Sequence, residues 1–153
     1  MLENRLHFSV MNEITLYKTG VRIETPTKVQ LQGWMKEIAK KHKKKIGSIN
    51  FVVCSDDYLL KINQDFLNHD YYTDIITFDY SEESVLNGEI YISADRVREN
   101  AIENKQKIKV EMLRVMAHGI LHMIGFQDKK KIHAIEMRQN EDLCISLFLT
   151  KFA

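Results

Sequence analysis

His118, His122, Gly125 and Asp128 spell H-x-x-x-H-x-x-G-x-x-D, a spacing that suits metal chemistry. Residues four apart on a helix share a face, with Cβ atoms about 5–6 Å apart, so the two imidazoles can grip one ion from one side. Glycine reaches the left-handed conformation at little steric cost, so the helix can stop at Gly125 and Asp128 can swing back toward the imidazoles. Zinc accepts imidazole nitrogen and carboxylate oxygen alike. Three protein ligands plus an open fourth position mark a catalytic rather than a structural site. His118, His122 and Asp128 are therefore the expected ligands of one Zn²⁺ per chain. Motifs of this length usually place a third histidine at the last position. His133 is the alternative third ligand, although the following helix is expected to carry it away.

Gly119 narrows the chemistry. In H-E-x-x-H proteases the residue after the first histidine is a glutamate that acts as general base, and glycine can transfer no proton. Peptide hydrolysis of that kind is disfavoured. Arg114 lies one turn before His118 on the same face and is a catalytic candidate beside His118, with a solvated surface arginine as the plain alternative.

Several elements must position these residues. Thr27 to Lys44 carries apolar residues at roughly helical spacing (Val29, Leu31, Trp34, Met35, Ile38, Ala39). Leu6–Met11 and Ser48–Cys54 read as strands, and Ser55-Asp56-Asp57 offers an N-cap for a helix running to about Leu67. Ile75–Tyr80 and Glu89–Ser93 read as strands joined in an antiparallel hairpin at Asn87-Gly88. Helices are expected over Ala94 to about Lys105, Val110–Ile124 and Lys129–Leu149. The fold class is α+β, a small mixed sheet of about four strands flanked by about five helices, with the metal site at a helix C-terminal end in a cleft.

The chain has 153 residues, 44% hydrophobic and 28% charged, with a net charge of +1. That length suits one domain over residues 1–153 with a sizeable core, and no global basic field announces a nucleic acid. Cys54 and Cys144 form no C-x-x-C pair and fit a reducing compartment. No signal peptide or apolar run of roughly 20 residues is visible, so a cytoplasmic protein with no membrane partner is expected.

The stretch His118-Gly119-x-Leu121-His122-x-x-Gly125 resembles the signature of the YbeY family, bacterial metal-dependent endoribonucleases of ribosomal RNA maturation. Asn63 through Phe78 (NQDFLNHDYYTDIITF) is similar to that family's N-x-x-[FY]-x-x-x-D-x-x-T-D-[VI]-[LI]-[ST]-F segment, and Gly88-Glu89-Ile90 to its Gly-Asp-Ile. The resemblance implies a zinc-dependent, single-strand-specific endoribonuclease that processes the 3′ end of 16S rRNA and takes part in ribosome quality control. Its partners would be single-stranded or ribosomal RNA and a ribosomal subunit or ribosome-associated proteins. There are three departures: Asp128 replaces the usual third histidine, Leu67 a common arginine, and Glu89 an aspartate. Arg114 can supply the phosphate contact that Leu67 cannot. Lys129, Lys130 and Lys131, directly after Asp128, are placed to hold a phosphate near the ion. The denser run Lys36–Lys45 reads as a solvated helix end or as a contact to RNA backbone. Thr73 and Asp74 are either turn-stabilising or site-lining RNA contacts. Zinc would polarise the scissile phosphate, acidify a bound water, or both, and the choice between that water and the RNA 2′-hydroxyl as nucleophile stays open. A ribosome-assembly binding factor with a mainly structural metal and an atypical zinc metalloprotease are the rival readings.

Overall fold

The structure is a computed structural model that describes residues 13–153; the strand expected at 6–11 lies outside the described residues. The elements run β1 (Ile14–Lys18), α1 (Lys28–Lys41), β2 (Lys45–Cys54), α2 (Asp56–Leu67), β3 (Ile75–Asp79), β4 (Val85–Ser93), α3 (Ala94–Glu103), α4 (Ile108–Ile124) and α5 (Lys131–Lys151). The sheet order is β1-β2-β4-β3. β1, β2 and β4 are mutually parallel and β3 is antiparallel to β4. Among the described residues the result is a four-stranded mixed sheet with five helices, the α+β class expected.

Local chemistry sets the element ends. Thr27 caps α1: its hydroxyl accepts the Gln30 N–H, and the Gln30 side chain accepts the Thr27 N–H, a capping box. Ser55 caps α2 by accepting the Tyr58 N–H. Along α1 the residues Leu31, Trp34, Met35, Ile38 and Ala39 are buried, as their spacing demands. Val29 is 82% exposed, because two residues before Leu31 is ~200° round the helix.

The expected antiparallel hairpin forms, but its turn lies elsewhere. Asn87-Gly88 is not the turn; both residues lie inside β4, with Gly88 paired to Asp79 and to Ile49. The chain reverses at 80–84, with Glu83 at φ 53°. Gly88 is needed in the strand because the Phe78 carbonyl occupies the space a Cβ would fill. The Asn87 Oδ1 accepts the Ser48 N–H at 2.8 Å, bridging the register shift between Ile46 and Ile49. An asparagine–glycine pair that resembles a turn locally is here fixed by tertiary packing.

One face of the sheet (Ile49, Phe51, Val53, Ile90, Ile92) packs with α1, α4 and α5 into the main core, and the other packs Ile76, Phe78 and Tyr91 against Leu59 and Ile62 of α2. Trp34 locks α1 to α5: its indole N–H donates to the Cys144 carbonyl at 2.8 Å, and its ring meets Phe148 edge-on at 5.1 Å. Cys54 and Cys144 are free and buried, and burial pushes their thiols up to about 12 and about 11. They behave as small hydrophobic residues.

Candidate metal centre

Helix α4 is the platform. Ten of its 17 residues are buried, so it is held on nearly every side by sheet and helices. Gly119 meets Ile75 and Ile90 so closely that a Cβ would lie 3.1 Å from their side-chain carbons. A glutamate at that position would therefore have no room, in keeping with the reading against a protease. The remaining polar stripe, Glu111, Arg114, His118 and His122, runs at steps of three, four and four along one face.

The helix ends where the glycine predicts. Gly125 has φ 128°, and the Leu121 carbonyl accepts both the Gly125 and Phe126 N–H groups, a stop that uses glycine's freedom at positive φ. The reversed chain brings Asp128 back: its Oδ2 lies 3.3 Å from His118 Nε2 and 3.5 Å from His122 Nε2. The two Nε2 atoms are 2.9 Å apart. These three donors are the group among the described residues that could hold a metal ion.

The outer nitrogens show that the site fits a cation. His118 Nδ1–H donates to Glu141 Oε2 at 2.6 Å, and His122 Nδ1–H donates to the Phe126 carbonyl at 2.9 Å. With each proton committed to Nδ1, both Nε2 atoms present lone pairs, and they face each other and a carboxylate oxygen. Three acceptors cannot sit this close without a proton or a cation between them, and two imidazoles with a carboxylate suit Zn²⁺. Burial works against a charged His118. The hydrogen bond and charge of Glu141, with the charges of Asp128 and Asp74, outweigh it and hold the imidazole above its ordinary range.

Glu141 is the residue that sequence reasoning missed. Only 5% exposed, it bridges His118 through Oε2 and Arg114 Nη1 through Oε1, the latter at 3.1 Å. Arg114 Nη2 also donates to Asp142 at 2.8 Å. Arg114 thus braces Glu141, which orients His118. The readable signal was an acid set within the apolar stripe Met137, Cys144, Ile145 and Phe148 of α5.

Chain similarity then decides the family. The sequence profile described as endoribonuclease YbeY matches residues 14–148. The chain belongs to that family. It is similar to the endoribonuclease YbeY of Cytophaga hutchinsonii (44% identical over 135 residues, 88% of this chain and 94% of that one). A second relative is the protein of the same name from Porphyromonas gingivalis (42% over 132 residues, 86% and 87%), and a third that of Flavobacterium psychrophilum (46% over 118 residues, 77% and 84%). The fold is also that of a Thermotoga maritima protein solved in solution, with TM-score 0.64, 29% identity and 91% of each chain covered.

Within this frame, Asp74 lines the same cleft as His118 and Asp128, a space of about 380 Å³ that Arg114, Glu111 and Glu141 also border. Thr73 does not border that cleft; its hydroxyl donates to the Ile75 carbonyl at 3.3 Å. Lys129, Lys130 and Lys131 are exposed just past Asp128. His133 lies apart from the three-residue group, in a second pocket with His42, Lys44 and Phe126 on its walls. His42 is half-buried and meets the Phe126 ring edge-on at 5.2 Å. Glu89 accepts hydrogen bonds from the Tyr80 and Tyr91 hydroxyls. It neighbours Ile90 in β4, so it sits on the sheet face away from α4. Among the described residues, no helix is long and apolar enough to cross a membrane.

Proposed function

We propose that this chain is a zinc-dependent, single-strand-specific endoribonuclease acting in rRNA maturation, at the 16S 3′ end and in ribosome quality control, and working in the cytoplasm as one domain over residues 1–153. The observation that carries this is the convergence of His118 Nε2, His122 Nε2 and Asp128 Oδ2 with both Nδ1 protons held elsewhere. When bound, the metal supplies Lewis acidity toward a scissile phosphate or a water. Three protein donors favour a catalytic over a structural metal, which takes four.

The chain's own residues do the positioning. Glu141 holds the proton at His118 Nδ1 and the Phe126 carbonyl holds that at His122 Nδ1, so both rings stay aimed. Arg114 holds Glu141 in place through the Nη1–Oε1 ion pair at 3.1 Å. Asp74 lines the wall beside His118, where it can accept from a ribose or a water. Lys129, Lys130 and Lys131 offer backbone contacts to RNA or to a ribosomal subunit.

The test is cleavage and binding of a single-stranded RNA against its duplex and its DNA equivalent, with zinc added or chelated. Cleavage confined to single-stranded RNA and abolished by His118→Ala is expected; retained cleavage in that variant overturns the reading. Binding should weaken steeply with salt. Charge reversal at Lys129–Lys131 should weaken it more than reversal at Lys43–Lys45, because only the former adjoins Asp128. An equal or opposite ranking would move the substrate groove elsewhere.

A further inference from the structure

The polar stripe of α4 has one member the metal centre does not use. Glu111 is 4% exposed, yet it borders the cleft together with Asn100, Asn104, Arg114 and Arg138. Its Oε2 is shielded from solvent and has no hydrogen-bond partner, and the same holds for Arg114 Nε. A buried polar atom left unpaired costs about 1–3 kcal/mol, and such an atom in a native fold calls for an explanation. Burial pushes the Glu111 carboxyl above its ordinary range. The charges of Arg114 and Arg138 oppose that shift, and those of Asp74 and Glu141 add to it.

We infer that Glu111 reads the ribose 2′-hydroxyl of the nucleotide next to the scissile phosphate, an inference that rests on the cleft being the RNA site. Seven residues of helix separate Glu111 from His118, a rise of ~10 Å, which takes the carboxyl past the phosphate at the metal and level with a neighbouring nucleotide. A carboxyl beside a phosphate would be repelled, so its partner is a neutral donor. A hydroxyl has one proton to give, and the Glu111 oxygen accepts that hydrogen bond. The last torsion of a glutamate is soft enough to turn Oε2 toward the cleft that Glu111 borders. The 2′-hydroxyl is also the group by which a protein tells RNA from DNA.

The experiment is binding of a short single-stranded oligoadenylate, as the ribo and the 2′-deoxy strand, in chelator so that neither is cut. Parent, Glu111→Leu and Glu111→Gln are compared, with thermal melts of each. The parent should favour the ribo strand by about tenfold, the worth of one strong hydrogen bond. Glu111→Leu should bring the two affinities together by weakening the ribo strand alone, and should melt no lower than the parent, since an unpaired buried carboxyl is removed. Glu111→Gln, which keeps the shape and one acceptor, should fall between them. A ribo-to-deoxy ratio unchanged in Glu111→Leu, or equal losses on both strands, overturns the inference. So does a large drop in melting temperature for both variants, which would mark a structural acid. If the parent binds both strands equally, the inference falls while the RNA site stands; if it binds neither, the proposed function itself falls.

Discussion

His118 Nδ1 and Glu141 Oε2 are 2.6 Å apart, although 23 residues separate them in the chain. This contact links α4 to α5 and sets which nitrogen of His118 faces the candidate metal position. Removing the Glu141 charge while keeping its shape should leave the fold intact and loosen that orientation. Glu141→Gln is expected to weaken zinc binding by about 10–100-fold, read by competition with a chromogenic chelator. Unchanged affinity would make the contact structural only.

Asp128 tests the ligand set directly. Two imidazoles alone hold zinc poorly, so Asp128→Ala should lose more affinity than Glu141→Gln. Asp128→His should keep zinc while losing the ability to take Mn²⁺, because oxygen donors favour the harder ion. Should Asp128→Ala bind zinc like the parent while His133→Ala does not, the third ligand is His133.

Gly119 is expected to be irreplaceable for packing rather than for catalysis. Alanine is the better helix former by about 1 kcal/mol, but its Cβ would press at 3.1 Å on Ile75 and on two carbons of the fully buried Ile90. Overpacking of that kind costs about 1–3 kcal/mol and should outweigh the gain, lowering the melting temperature by about 2–4 °C. A melting temperature equal to or above the parent's would contradict this.

Tyr91 should titrate late. Burial, then the hydrogen bond and charge of Glu89, push its hydroxyl up to about 12. The folded protein favours the neutral phenol, so this contribution to stability is full below the ordinary value of about 10 and is lost as pH rises through about 12. Glu89→Gln should bring part of the tyrosinate absorbance to lower pH. An unshifted alkaline titration would separate Tyr91 from Glu89.

The sequence by itself determined the parts of this protein that depend on neighbours along the chain. The stripe Leu31, Trp34, Met35, Ile38 and Ala39 specified α1, Ser55 marked the start of α2, and the spacing His118, His122, Gly125, Asp128 described a helix that ends and returns, because i,i+4 geometry and a glycine stop are local properties. Tertiary structure decided the rest. Asn87-Gly88 satisfies the local rule for a turn, but pairing on both sides, the Phe78 carbonyl and the Ser48 N–H hold it inside β4. Glu141 lies 23 residues from His118, and only the packing of α5 on α4 brings its carboxylate to the imidazole. The same packing leaves Glu111 Oε2 in a cleft wall without a hydrogen-bond partner, since burial and hydrogen-bond satisfaction belong to the assembled fold and not to any segment of it.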